Sequence, residues 1–303
     1  MKIIKILFIV IFAFVLFSKS KGQESLKLPR FSLLGVDGKT YTQNSFSNYQ
    51  NIAVIFYSNH CRVSQKFEKL IIQLSNILAN NKSNLILVSP NFENAILPDE
   101  KAYSDVGDSF EEMKIRAKKK NFNFPYLYDG ENQSLANQMG VKATPHGFLF
   151  NKNRKLIYSG RIGDLNKAYD LNSSDLFIAY LKEKKGINSF FQTKVFGTSI
   201  KTREDLHIAD KVRRRYSEET IRVTHATQKK LRFFLNHPSE SPKLVYVWSN
   251  EDKENRDNLL AISSVYKIYR KRGLKVYTVC IGENLNLTRE TLSAKNKTLL
   301  TQL

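Results

Sequence analysis

Two residues in this chain carry a thiol, Cys61 and Cys280, and their settings differ. A thiol attacks a peroxide or a disulfide as the thiolate, and a free cysteine is mostly protonated at neutral pH. The unpaired N–H groups at a helix start favour the ionised form. Cys61 follows an apolar run, IAVIFY at 52–57, and precedes apolar residues at Val63, Phe67, Leu70, Ile71, Leu74, Ile77 and Leu78. That spacing marks one face of a helix, so Cys61 is expected where a buried strand ends and a helix begins. Arg62 adds a neighbouring cation, and Ser58 and Ser64 are candidates to hydrogen-bond the sulfur. His60 and His146 offer ring nitrogens, but one thiolate with two histidines is a poor donor set for a soft metal. The expectation is that both line the thiol pocket and tune its proton affinity. Cys280 lies inside an apolar strand pattern and reads as a buried structural cysteine, not paired with Cys61.

The elements that must hold Cys61 follow from pattern. Asp37-Gly38 marks a hairpin turn between short strands. LILVSP at 85–90 is a second buried strand, and strand–helix–strand with short loops gives a parallel βαβ unit. Asn91 to Gly107 reads as an irregular surface insertion. Asp108-Ser109 caps a helix over FEEMKIRAKKK, with acids in its first turn and lysines in its last. Next come FPYLYD, a short helix ended by Gly140, and strands over VKATPHGFLFN and RKLIYSGRI joined by a turn at Asn151. A helix around DLFIAYLKEKKG closes this half.

The chain opens MKIIKILFIVIFAFVLFSKSKGQ, a basic start, an apolar run and small polar residues, the layout of a secretory signal peptide. The apolar run is short of the roughly 20 residues that span a bilayer, and an uncleaved anchor is the alternative. The protein is therefore expected to be exported, to a periplasm or the outside. Its length suits two domains. The expected division is a signal peptide over 1–22, a first domain over 23–190, a basic linker or helical region over 191–240 and a second module over 241–303. The formal net charge is +20, which favours anionic envelope surfaces. Nucleic acid is not an expected partner of an exported protein. KVRRRY at 211–216 and QKKLR at 228–232 concentrate the charge, and EETIRVTHATQKKLRFFLNH at 218–237 is expected as a helix.

The segment FYSNHCRVSQKFE resembles the active-site region of thioredoxin-like redoxins, the broad group of alkyl hydroperoxide reductase, TlpA and ResA-type proteins. A bacterial subgroup with an Asn-His-Cys motif is especially similar. Its features stand here as Asn59-His60-Cys61, Asp108 to Arg116, Phe124 to Asp129, Thr144-Pro145 and Arg154 to Asp164. The resemblance runs from about 25 to 200. It implies an α/β thioredoxin fold, a central mixed sheet flanked by helices, with Thr144-Pro145 as a cis peptide beside the cysteine. The residue before that proline would present its backbone to an incoming substrate chain. Cys61, Ser58, Arg62, Ser64, Thr144 and Pro145 are then the candidate catalytic residues. No cofactor is expected, since no flavin, nicotinamide or Gly-rich phosphate motif is evident.

Departures from the pattern bear on mechanism. Ser64 stands where a resolving cysteine would be, Ser58 where subgroup members often carry another, and Thr198 where many have a Gly-Cys-x-Ile-Lys segment. Against a peroxidatic pattern Ser58 fits, Val54 replaces a proline, and Arg161 is a distant candidate to polarise peroxide. The second half resembles a thioredoxin fold more faintly, as an incomplete βαβ module with Asp252 and Asn255 at the cysteine places. The two halves are expected to be independent, with Cys61 reactivity unaffected by residues 187–303. The leading expectation is a thiol-based oxidoreductase or peroxidase of the cell envelope. It would act on a peroxide or protein disulfide and need an external thiol or thioredoxin-like reductant. The alternative is a non-catalytic binding protein that kept the fold and lost the chemistry.

Overall fold

A computed structural model describes residues 26–301 apart from 105, 188, 220–222, 224, 238–239 and 283. The expected signal peptide lies outside the described residues. Among those described, no helix is long and apolar enough to cross a membrane.

The strand at IAVIFY forms as β3, Ile52–Phe56, entirely buried. Its residues alternate between two cores: Ala53 and Ile55 on one face of the sheet, Ile52, Val54 and Phe56 on the other. A strand apolar at every position needs cover on both faces, and so it takes the centre. The sheet runs β2 (Thr40–Thr42), β1 (Ser32–Gly35), β5 (Tyr126–Tyr128), β4 (Asn84–Ser89), β3, β7 (His146–Phe150), β8 (Leu156–Gly160), β9 (Phe191–Gln192). Strand β3 is parallel to β4 and antiparallel to β7, so the sheet is mixed. The β1–β2 turn holds Gly38 at φ +82°, a conformation that favours glycine.

Helices α1 (Arg62–Lys66) and α2 (Glu68–Asn80) follow β3, separated by a kink at Phe67. Helix α3 (Phe110–Lys120) starts on a Ser109 capping box, with Ser109 Oγ accepting from Glu112 N at 3.2 Å. Between them a quartet centred on the buried Glu68 pins the helices. Glu68 Oε1 accepts from Tyr57 Oη at 2.5 Å and Arg116 Nε at 2.7 Å, and Lys120 Nζ lies 2.9 Å from Oε2. Helix α4 (Ser134–Gln138) precedes β6 (Ala143–Thr144), and α5 (Asp175–Lys184) covers β7 and β8.

Three segments differ from expectation. Residues 191–199, read as linker, hold β9 on the sheet edge and β10 (Thr198–Ser199) paired with β6, so the first unit's pairing extends past 190. Two-residue strands have no periodicity to reveal them. The expected surface insertion at 91–107 contains a 3-10 turn, Pro98–Tyr103, that receives the C-terminal elements. Of the single helix expected over 218–237, the described residues form α7 (Gln228–Asn236), and a further helix, α6 (Leu206–Ser217), ends before that range. Thr227 ends the option of a continuous helix by capping α7, its Oγ1 accepting from Lys230 N.

The expected βαβ unit is present: β11 (Lys243–Ser249), α8 (Lys253–Tyr269) and β12 (Lys275–Ile281), with the strands parallel, followed by α9 (Leu285–Thr301). Asp252 caps α8 by accepting from Asn255 N at 3.1 Å, so these two residues serve a helix start. Cys280 is half-buried rather than buried, because a two-stranded sheet leaves part of each strand uncovered; Asn250 and Thr288 donate to its sulfur. Lys271 lies 2.9 Å from Asp99 and Arg272 donates to the Ala102 carbonyl at 2.9 Å, seating this unit on the 3-10 turn.

Candidate active site

Cys61 leaves the end of β3 and caps α1, its sulfur accepting from Ser64 N at 3.4 Å. The thiol donates to the Thr144 carbonyl at 3.1 Å. The Thr144–Pro145 peptide is cis, as the resemblance implies. Thr198 of β10, paired with Thr144, also favours the ionised sulfur. The Ser64 hydroxyl also faces the sulfur and favours its ionised form, though short of an aligned hydrogen bond. Burial pushes the thiol up, but Thr198 and Ser64 outweigh it and hold Cys61 below the ordinary thiol range.

The loop before Cys61 is fixed by a buried carboxylate. Asp108 Oδ1 accepts from Asn59 N at 2.5 Å. Its Oδ2 accepts from Ser58 Oγ at 2.7 Å, Asn91 Nδ2 at 2.7 Å and His60 Nδ1 at 2.6 Å. Asn59 Nδ2 donates to the Gly107 carbonyl at 2.6 Å. Burial pushes the Asp108 carboxyl up, and His60, Ser58 and Asn91 overcome this and bring it below the carboxylate range. Burial lowers His60, and Asp108 more than compensates, so its imidazole stays protonated above the ordinary histidine pKa. Its Nε2 is buried without a hydrogen-bond partner.

Of the predicted residues, the fold gathers Cys61, Ser64, Thr144 and Pro145. Ser58 bonds Asp108 and His60 instead of the sulfur, because the buried carboxylate attracts its hydroxyl. Arg62 is exposed on α1, and the shift of Cys61 traces to Thr198 and Ser64 rather than to this cation. Arg161 is engaged with Asp175 at 2.6 Å. His146 bonds Ser159 at 3.0 Å and stacks on Phe148; burial pushes it down to about 4, so it is neutral near pH 7. Asp108 and Thr198 are the residues that sequence reasoning missed as site members. Both stood in quoted motif segments, the first read as part of a helix cap and the second as a lost cysteine.

The sequence model of the AhpC/TSA family matches residues 25–159. No curated protein matches the chain. Among solved structures, a hypothetical protein from Sinorhizobium meliloti is 25% identical with a TM-score of 0.51, covering 59% of this chain and 93% of its own. An uncharacterized conserved protein from Geobacillus kaustophilus is 24% identical with a TM-score of 0.51, covering 58% of this chain and 90% of its own. These likenesses concern the fold.

Proposed function

We propose, from the premise that residues 25–159 make this chain a thioredoxin-like redoxin of the AhpC/TSA family, that it is a one-cysteine thiol oxidoreductase or peroxidase of the cell envelope. Thioredoxin-like redoxins act with thiol reductants on disulfides or peroxides. In this reading the Cys61 thiolate attacks the substrate. With a peroxide, an S–O bond forms as the O–O bond breaks; sulfur is oxidised to the sulfenic acid, and the leaving oxygen takes a proton to become an alcohol or water. An external thiol then condenses with the sulfenic acid, releasing water and leaving a mixed disulfide. A second external thiolate attacks that bond and returns Cys61 as thiolate. With a protein disulfide the first attack yields the mixed disulfide directly and expels one substrate thiolate. Ser64 carries no thiol and cannot resolve either intermediate.

The observation that carries this reading is the seat of the Cys61 sulfur, between the Ser64 amide and the cis Thr144–Pro145 peptide, with its pKa lowered. The basic and apolar leader supports export. The test is labelling of Cys61 by iodoacetamide against pH, read by mass. A midpoint below the free value of about 8.5 is expected; one at or above it removes the basis for catalysis. A second reading, a binding protein without chemistry, is favoured by one observation: Cys61 is 0% exposed. Replacement by Cys61→Ala separates the two, since a binding protein keeps its cellular role and a redox protein loses it.

A further inference from the structure

We propose that residues 197–201 form a strap lying on β6 in the place of an extended partner segment, so that Cys61 reacts only when the strap lifts. This rests on Cys61 being the reactive group. Thr198 and Ser199 pair antiparallel with Thr144 and Ala143, and Ile200 N donates to the Lys142 carbonyl at 3.1 Å. Among the described residues β10 is the only strand paired with β6. A backbone edge is read by main-chain hydrogen bonds, which any extended polypeptide can supply. Here the chain supplies them itself, directly beside the carbonyl that accepts from Cys61.

The approach is close. Gly197 has φ +147°, and a Cβ there would land on the Thr144 carbonyl and within 3.2 Å of Pro145 Cδ. Glycine is what lets the strap reach the cis peptide. Thr198, paired with Thr144, then stands beside the sulfur and favours its ionised form. A partner segment taking this place would put its disulfide there, after a small residue. At its far end the strap is clamped at Lys201. Its amide donates to Asn91 Oδ1 at 2.9 Å, and its carbonyl accepts from Phe92 N at 2.8 Å and Gln133 Nε2 at 2.6 Å. Lys201 Nζ lies 2.6 Å from Glu100. Yet no residue from 193 to 201 is fully buried. Of the strap, Ile200 packs against the core and is itself only partly buried, so the segment opens at lower free-energy cost than the core around the fully enclosed Cys61.

The test uses the full chain carrying Cys280→Ser, which leaves Cys61 as its thiol. Iodoacetamide labelling at fixed pH is expected to run at least about tenfold slower in the folded protein than in urea, and to rise by about tenfold in Gly197→Ala. Labelling as fast when folded as in urea, or no faster in Gly197→Ala, overturns the strap. Thr198→Cys gives an arm that does not depend on loosening the fold. With glutathione disulfide as oxidant, Cys61 forms a mixed disulfide and expels one glutathione thiolate; the introduced thiol then attacks Cys61 sulfur and expels the second. One protein disulfide forms as one glutathione disulfide is reduced. The expected product is the folded protein lighter by two hydrogens with no adduct. A lasting glutathione adduct on Cys61 beside a free introduced thiol overturns the proposal. If the internal disulfide forms while Cys61 in the Cys280→Ser chain, with the strap in place, titrates at or above the free-thiol value, the strap stands and the thiolate reading fails.

Discussion

At the scale of single residues, the sulfur's acidity depends on donors that come from two places in the chain, Ser64 and Thr198. Thr198→Val removes a hydroxyl while keeping the shape, and one hydrogen bond to a charged group is worth about 1.5–3 kcal/mol. We expect the Cys61 labelling midpoint to move upward by about one to two pH units, read by iodoacetamide kinetics. Asp108 is the second lever. It is fully buried and accepts from four groups, so Asp108→Ala leaves His60 buried without its counter-charge. A loss of about 3–5 kcal/mol in urea unfolding is expected. The pair also sets a pH window. His60 has a raised folded pKa, so its contribution is complete below the unfolded value and is lost as pH rises through the folded one. Asp108 has a depressed folded pKa, so its contribution is present above the unfolded value and is lost as pH falls through the folded one. Wild-type stability should fall on both sides of that window, and the difference from Asp108→Ala should shrink with it. Cys61 was legible in sequence because a strand, a short loop and a helix are local signals. Asp108 and Thr198 were not legible as site members: Asp108 lies 50 residues from Ser58, and nothing local to either shows that they meet.

At the scale of elements, the apolar strands and the amphipathic helix after Cys61 form where periodicity places them, because each carries enough burial to fix its own register. What pattern could not show was the break at Phe67 and the two-residue strands β9 and β10, which exist only through their partners. The contact of α2 with α3 is equally hidden, since it rests on one acid. Glu68 sits 5% exposed among Tyr57, Arg116 and Lys120. Deleting its carboxylate takes the Glu68 counter-charge from the buried Arg116, and breaking a buried pair costs about 3–5 kcal/mol. Glu68→Ala should lower the urea midpoint accordingly with little change in slope. A change below about 0.5 kcal/mol, within the range of ordinary surface substitutions, would show that the quartet does not hold the helices together.

At the scale of the whole molecule, the expected independence of the two halves meets the position of Thr198. A chain ending at Gly186 loses the residue that touches the sulfur; a chain ending after Lys201 keeps it. We expect the shorter chain, if it unfolds cooperatively, to label faster at Cys61 and with a higher pH midpoint than the longer one. Equal behaviour would mean that residues 187–201 do not shape the site. The C-terminal unit reaches the site less directly. The 3-10 turn Pro98–Tyr103 holds Lys271 through Asp99, Arg272 through the Ala102 carbonyl, and Lys201 through Glu100. One short turn is thus the footing of both the basic C-terminal unit and the clamp beside Cys61. Linkage between two sites is reciprocal. Whatever factor attachment of the basic unit to an anionic surface imposes on occupancy of the cysteine's seat, that occupancy imposes the same factor on the attachment. Were the basic unit to attach to such a surface through a coupling of this kind, salt, which screens that attraction, would shift the occupancy of the cysteine's seat as well.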